Sequence, residues 1–193
     1  MREPHHAPKR GHALGDLNIV FGGYVGIDAG GGKIIYLSQS EPDPSLTNGR
    51  CIYCDLIQQE FDDENRIVAQ NEQYLAFCPF VPRYPFETWI MPKEHPSRFC
   101  SMSKEERWPF AAILKEVLQR IKICLGDPSY NFYLHVSPFN YEKQESYHWH
   151  IEIIPQLTRV AGFEWGTGLY VVRTCPSVAA GHLRGVVLGD KKG

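Results

Sequence analysis

The stretch Tyr147-His148-Trp149-His150-Ile151-Glu152-Ile153-Ile154, followed by Pro155, alternates polar and large apolar side chains. A period of two predicts a β-strand over residues 147–154. Its apolar members share the face that packs in the core, namely Trp149, Ile151 and Ile153. Its ionisable members share the other face at steps of about 7 Å, namely His148, His150 and Glu152. Three such groups in a row indicate a functional site, unless this is an edge strand with one face in water.

The elements around this strand predict an α+β fold. Further strands are expected over residues 66–70, 74–80, 87–92 and 131–136. Ser103 and Glu106 have the spacing of a capping box. The helix that follows carries one apolar stripe and stops at Gly126. Its apolar positions are Phe110, Ile113, Leu114, Val117, Leu118, Ile121 and Cys124. The order of elements predicts an antiparallel sheet with one long helix packed on one face.

The N-terminal residues 1–49 differ in composition from residues 50–193. They are rich in Gly, Pro, Ser and Asp, and they predict an irregular arm attached to one folded domain. Two short apolar stretches, at 18–21 and 33–37, are candidate strands beside a Gly-rich turn. The segment 26–33 lacks the spacing of a phosphate-binding loop.

Composition narrows the class of protein. The formal net charge is −2 and hydrophobic residues make up 43% of the chain. We therefore expect a globular domain without the basic field of a nucleic-acid-binding protein. No apolar run is long enough for a membrane span, and the first residues do not resemble a secretory signal. These features predict a cytoplasmic protein.

Two of the six cysteines have a metal-binding spacing. Cys51 and Cys54 stand on one turn, as in zinc sites, although a redox dithiol has the same spacing. His95 ends a predicted strand and His148 begins another, so both can converge on that turn. The four residues predict a closed, structural Cys₂His₂ zinc site. The other four thiols are expected to be idle: Cys78, Cys100, Cys124 and Cys175.

Several separate motifs resemble one known family. They are Cys51-Ile-Tyr-Cys54, Ala76-Phe-Cys-Pro-Phe80, Trp89-Ile-Met-Pro-Lys93 followed by His95, His148-Trp-His150 and Ala161-Gly-Phe-Glu-Trp-Gly-Thr-Gly168. Together they resemble the histidine-triad superfamily. They are most similar to the C-terminal half of galactose-1-phosphate uridylyltransferases, over about residues 50–184.

The resemblance implies a role in galactose metabolism. Those enzymes are built from two histidine-triad repeats, and they transfer a uridylyl group from UDP-glucose to galactose 1-phosphate. A histidine of the N-terminal repeat attacks the α-phosphate, as suits a neutral imidazole. The implied partners are a nucleotide sugar, a hexose 1-phosphate and a second copy of the chain. The zinc-ligand positions of the family match Cys51, Cys54, His95 and His148.

His150 stands at the position of the nucleophile, but its surroundings differ. Glu152 follows where active triads carry His or Gln, and a carboxylate there would repel phosphate. In some members of the family the corresponding residues bind a second metal. His135, His150 and Glu152 are therefore a candidate second metal site or a polar network, as an alternative to catalysis by His150.

The His-Pro-His-x-Gln strand of the catalytic repeat does not occur in the 193 residues. The sequence therefore predicts a half-enzyme with weak or no activity on its own. The loop at 162–168 resembles the sugar-phosphate loop of the family, and its candidate binding residues are Arg159, Phe163, Glu164, Gly166 and Gly168. Two alternatives remain. One is a non-catalytic zinc-stabilised domain that binds a sugar phosphate or a partner chain. The other is a small histidine-triad nucleotide hydrolase.

Overall fold

The computed structural model describes residues 51–95, 98–136, 147–159 and 162–189. It also describes the backbone of three short strands in the N-terminal arm. These are β1 (Asn18–Val20), β2 (Gly26–Ile27) and β3 (Ile34–Ile35). Most of the predicted arm, including its Gly-rich turn, lies outside the described residues.

The main sheet has the strand order β1-β7-β8-β6-β5-β4. Its remaining strands are β4 (Ile67–Gln70), β5 (Tyr74–Phe77), β6 (Thr88–Pro92), β7 (Tyr130–His135) and β8 (His150–Pro155). All neighbouring strands run antiparallel except β1, which lies parallel to β7. The helices are α1 (Ile52–Asp63), a 3₁₀ turn (Phe99–Ser101), α2 (Lys104–Leu125), α3 (Gly162–Thr167) and α4 (Pro176–Arg184). The predicted α+β layout is confirmed.

Strand β8 lies inside the sheet, between β7 and β6. The edge-strand interpretation is therefore wrong. Ladder pairing begins at His150, three residues later than predicted, and it includes Pro155. The predicted alternation is confirmed, because Trp149, Ile151 and Ile153 belong to the core cluster under α2. His150 and Glu152 point to the opposite face and are themselves buried.

Helix α2 covers one face of the sheet. The Ser103 hydroxyl accepts from the Glu106 amide, and the Glu106 carboxylate accepts from the Ser103 amide, which confirms the capping box. Such a cap satisfies amides that the first turn leaves unpaired. The helix runs without a break through Pro109. Its apolar stripe packs on the sheet through the buried residues Ile113, Val117 and Ile121.

Helix α1 covers part of the opposite face. It begins directly after Cys51 and buries Tyr53 and Ile57 against Phe77 and Trp89. Burial of this face fixes the first turn of α1 over the strands. The cysteine pair is thereby held beside the polar row of β8.

The two candidate strands of the arm are present as β1 and β3. Strand β1 pairs with β7 in the main sheet, and a three-residue strand gives no sequence signal for such a partner. One local prediction is wrong, because residues 162–167 form helix α3 and not a loop. The helix ends at Gly168, whose φ of 71° and amide bond to the Glu164 carbonyl make a left-handed cap. Among the described residues, no helix has the length and apolarity needed to cross a membrane.

Candidate metal centre and the adjoining histidine cluster

The four predicted zinc ligands come together in the structure. One donor atom from each of Cys51, Cys54, His95 and His148 lies within 4.8 Å of every other. Cys51 and Cys54 come from the start of α1, His95 follows β6, and His148 precedes β8. The centre therefore joins one end of the sheet to the helix on its outer face.

The ring of His148 is oriented by a backbone group. Its Nε2–H donates to the carbonyl of Pro92 at 2.8 Å. The other nitrogen, Nδ1, must then carry the lone pair, and it lies 3.6 Å from Cys54 Sγ. A hydrogen bond of this kind fixes both the tautomer and the direction of a metal-binding imidazole.

The spacing of the donors suits zinc. Tetrahedral zinc with Zn–S near 2.3 Å and Zn–N near 2.0–2.1 Å places sulfur and nitrogen about 3.6 Å apart. Cys54 Sγ lies 3.3 Å from Nδ1 of His95 and 3.6 Å from Nδ1 of His148. The two imidazole planes stand at 82° to each other, so their lone pairs can meet at one point. The donor set and its geometry fit a closed Cys₂His₂ zinc site.

Electrostatics at this centre also favour a cation. Burial, with the neighbouring Cys51 second, raises the pKa of the Cys54 thiol to about 12. Two adjacent thiolates need a positive partner, and a bound metal ion deprotonates the thiols that coordinate it. The same centre without metal holds a protonated thiol and a neutral His148.

The pH dependence of the unfolding free energy of the metal-free chain tests the burial of His148. Burial lowers the pKa of His148 from 6.5 to about 4, even though the bond to Pro92 acts in the opposite direction. Between these values the unfolded chain binds a proton that the folded chain does not. The free energy of unfolding should therefore fall as the pH drops from 6.5 to about 4, by up to about 1.4 kcal/mol per pH unit.

Urea unfolding of the chelator-treated chain at several pH values measures this slope. The variant His148→Gln should lose most of the slope, whereas His182→Gln, at an exposed position, should keep it. Equal slopes in wild type and His148→Gln would contradict the assignment of this pH dependence to His148.

The second predicted cluster also assembles. His135 Nε2 lies 3.4 Å from Glu152 Oε2, and His150 Nε2 lies 3.8 Å from Glu152 Oε1. All three side chains are buried. Burial alone would raise the pKa of Glu152, but the imidazoles of His135 and His150 outweigh it and hold that pKa below its usual range. The carboxylate is therefore ionised.

His150 is poorly placed for attack on a substrate. It is 1% exposed, enclosed by the rings of Trp89, Tyr53 and His135 at centroid distances of 4.6 to 5.0 Å. Its Nδ1–H donates to the His148 carbonyl, which leaves Nε2 facing Glu152. Burial lowers the pKa of His150, and Glu152 acts in the opposite direction. The nitrogen that a substrate phosphate would need therefore has a carboxylate in front of it.

Two functional residues were missed by the sequence analysis. Arg83 Nη2 forms an ion pair with Glu152 Oε2 at 3.2 Å. Buried Glu87 accepts from the backbone amides of Arg83 and Tyr84, and from the indole of Trp89. An arginine between two prolines in a loop has no periodic pattern. The only available signal was the carboxylate of Glu152 beside two histidines, because such a group demands a positive partner once it is buried.

The predicted substrate-binding residues lie on the surface. Arg159, Phe163, Gly166 and Gly168 are exposed, and Glu164 is half-buried with Oε1 accepting from the amide of Val171. Beyond α3, the ring of Tyr170 packs against Tyr84 at a centroid distance of 5.4 Å. The segment thus touches the loop that carries Arg83. Five large apolar side chains near it are exposed: Phe163, Trp165, Leu169, Tyr170 and Val171.

Comparison with known families gives a match over most of the domain. Residues 35–165 match the family model described as galactose-1-phosphate uridyl transferase, C-terminal domain. The matched range includes both histidine clusters and the first part of α3. It extends into the arm as far as the second residue of β3.

Curated relatives carry two enzyme names. ADP-glucose phosphorylase of Arabidopsis thaliana is 37% identical over 142 residues, 72% of this chain and 39% of that protein. Galactose-1-phosphate uridylyltransferase of Thermotoga maritima is 34% identical over 143 residues, 70% of this chain and 44% of that protein. An uncharacterised HIT-like protein of Methanocaldococcus jannaschii is 32% identical over 106 residues, 55% of this chain and 78% of that protein. The chain spans less than half the length of the two named enzymes.

A solved structure agrees with these matches. The crystal structure of an ADP-glucose phosphorylase from Arabidopsis thaliana with bound ADP-glucose superposes with a TM-score of 0.66 at 35% identity. The superposition covers 76% of this chain and 46% of that one. The fold and the sequence thus lead to the same group of proteins.

Proposed function

This chain belongs to the galactose-1-phosphate uridylyltransferase family through that family's C-terminal domain, and from this we propose that it takes part in nucleotidyl transfer between a nucleotide sugar and a hexose 1-phosphate. Its contribution is a zinc-stabilised domain that helps to hold the sugar phosphate. The nucleophile for the transfer is not His150. The isolated chain is therefore weak or inactive in the complete reaction.

The observation that carries the proposal is the contrast between the two histidine clusters. Cys51, Cys54, His95 and His148 converge as ligands, which supports a structural role. His150 is enclosed by aromatic rings, and its Nε2 faces an ionised carboxylate. A phosphate could not reach that nitrogen without first displacing Glu152, and the two anions would repel each other.

The surface beside α3 is the proposed sugar-phosphate site. The candidate residues Arg159, Phe163, Glu164, Gly166 and Gly168 remain assigned to it. A guanidinium, as in Arg159, suits phosphate, and Glu164 offers a carboxylate to sugar hydroxyls. The exposed apolar side chains next to it support a homodimer contact at the same surface, because large apolar groups gathered in one segment are typical of interfaces. We place the protein in the cytoplasm as part of the same proposal.

Mass spectrometry of the intact chain tests the assignment of the nucleophile. The purified chain is incubated with UDP-glucose and, separately, with ADP-glucose, because relatives carry both kinds of enzyme name. We expect no nucleotidylated protein in either sample. A covalent adduct that disappears in His150→Asn would overturn the proposal and would favour the histidine-triad hydrolase alternative.

Calorimetric titration tests the binding role separately. Glucose 1-phosphate, galactose 1-phosphate and the two nucleotide sugars are titrated into the zinc-loaded chain. At least one should bind, and Arg159→Gln should weaken that binding about 10-fold or more, as expected for loss of a charged hydrogen bond. Arg173→Gln, at another exposed arginine, is the matched control. Unchanged binding in Arg159→Gln would remove Arg159 from the site.

A further inference from the structure

We infer that Arg83 is the built-in counter-cation of the cluster formed by His135, His150 and Glu152, and that it excludes a second divalent metal from this cluster. Without Arg83, the two imidazoles and one carboxylate would be a common set of ligands for a divalent metal. The inference concerns metal content and does not depend on the proposed transferase role. It names Arg83 as the residue that decides whether the described part of the chain binds one metal or two.

Ring geometry separates the two clusters. The lone pair of an imidazole nitrogen lies in the plane of its ring, so two imidazoles share a metal only where their planes meet. The planes of His95 and His148 stand at 82°. The rings of His135 and His150 are stacked, with centroids 4.6 Å apart and planes only 12° apart. Stacked, nearly parallel planes do not meet close to either nitrogen.

The stacking is held from both sides. Trp89 stacks on the other face of His150 at 5.0 Å and 25°, and its indole N–H donates to buried Glu87 at 2.9 Å. The Nδ1–H of His150 donates to the backbone of His148. Turning His150 toward a metal would break that bond and the stack together. A metal bound by both histidines must therefore outweigh the loss of these contacts as well as the charge of Arg83.

Arg83 is held in position as firmly as the rings. Its backbone amide donates to Glu87 Oε2 at 2.7 Å, and the next amide, of Tyr84, donates to the same oxygen. Its guanidinium carbon lies over the ring of Tyr84, 5.8 Å from the ring centroid. The backbone bonds fix the start of the side chain, and a rotation away from Glu152 would cost both the ion pair and the Tyr84 contact.

The positive charge of Arg83 explains why a divalent metal is excluded from Glu152. Glu152 Oε2 already contacts both Arg83 and His135, at 3.2 and 3.4 Å. A divalent ion bound by buried Glu152 would lie within a few ångströms of the half-buried guanidinium of Arg83, and the two positive groups would repel each other. At an effective dielectric near 20, this repulsion weakens metal affinity by ~100-fold or more. With Arg83 removed, Glu152 becomes a buried charge that only a metal or a proton can neutralise.

Cobalt(II) titration of the metal-free, full-length chain tests the inference. Cobalt bound by Cys51 and Cys54 gives a sulfur-to-metal charge-transfer band, whereas cobalt bound by imidazole and carboxylate gives none. Wild type should bind one equivalent, with the band. Arg83→Met should bind a second equivalent at least ~100-fold more tightly than wild type does, without added band intensity. The double variant Arg83→Met/Glu152→Gln should return to one equivalent.

Three results would overturn the inference. The first is a stoichiometric second equivalent in wild type without added charge transfer. The second is a folded Arg83→Met that stays at one equivalent. The third applies if Arg83→Met is unfolded without metal. Excess cobalt should then restore a cooperative unfolding transition, and failure to restore it would overturn the inference. The charge-transfer band reports the Cys₂His₂ centre alone, so a fault in that centre is distinguishable from a fault at Arg83.

Discussion

Replacing Cys54 by serine should release the metal and strongly destabilise the domain. Cys54 lies in the first turn of α1 and within 3.3 to 3.6 Å of both histidine ligands, so it is central to the donor set. Zinc bound only by the folded state contributes its binding free energy to folding, on the order of 10 kcal/mol in small zinc domains. For this larger domain we expect a loss of at least ~4 kcal/mol of unfolding free energy, since the sheet and α2 remain.

Metal analysis after a chelator wash and urea unfolding measure the two effects. Cys100→Ser is the matched control, because Cys100 is an exposed thiol on the 3₁₀ turn. It should keep one zinc and the wild-type unfolding midpoint. Retention of zinc and of stability by Cys54→Ser would show that the thiol pair is not a metal site.

Truncation of Trp149 should have the second-largest effect. Its side chain is 4% exposed and packs against the rings of Phe99, Phe110 and Tyr74 at centroid distances of 5.0, 5.6 and 6.0 Å. Trp149→Ala removes this aromatic cluster's centre and leaves a cavity between β8 and the start of α2. The expected cost is about 3–5 kcal/mol, or roughly 10 °C in unfolding temperature.

The same chain offers a tryptophan control. Trp108 lies on α2 with 79% of its surface exposed. Trp108→Ala should change the unfolding free energy by no more than ~0.5 kcal/mol. Comparable losses in the two variants would contradict the assignment of the Trp149 face to the core.

Patterns that depend on local spacing were predictable. The alternation around Trp149 and Ile151 gave the correct buried face, because side chains on a strand alternate with a strict period of two. The capping box at Ser103 and the stripe through Val117 were also confirmed. The meeting of Cys51 and Cys54 with two histidines was also predictable, because His95 and His148 stand at the ends of predicted strands. At this centre the tertiary structure agrees with the local pattern.

Features that depend on distant partners were not predictable. Three residues of β1 pair with β7 across more than one hundred positions, and nothing in their composition specifies that partner. Helix α3 was predicted as a loop because its glycines outweighed the helix-compatible residues between them. Arg83 was missed because its role is set by Glu152, which is distant in sequence and close in space.

The coordination shell of the zinc is the most direct test of the central claim. X-ray absorption spectroscopy of the purified chain at the zinc edge reports the atoms bound to the metal and their distances. We predict one zinc per chain with two sulfur ligands near 2.3 Å and two nitrogen ligands near 2.0–2.1 Å. A zinc shell of nitrogen and oxygen only, or a folded chain that binds no zinc, would contradict the account.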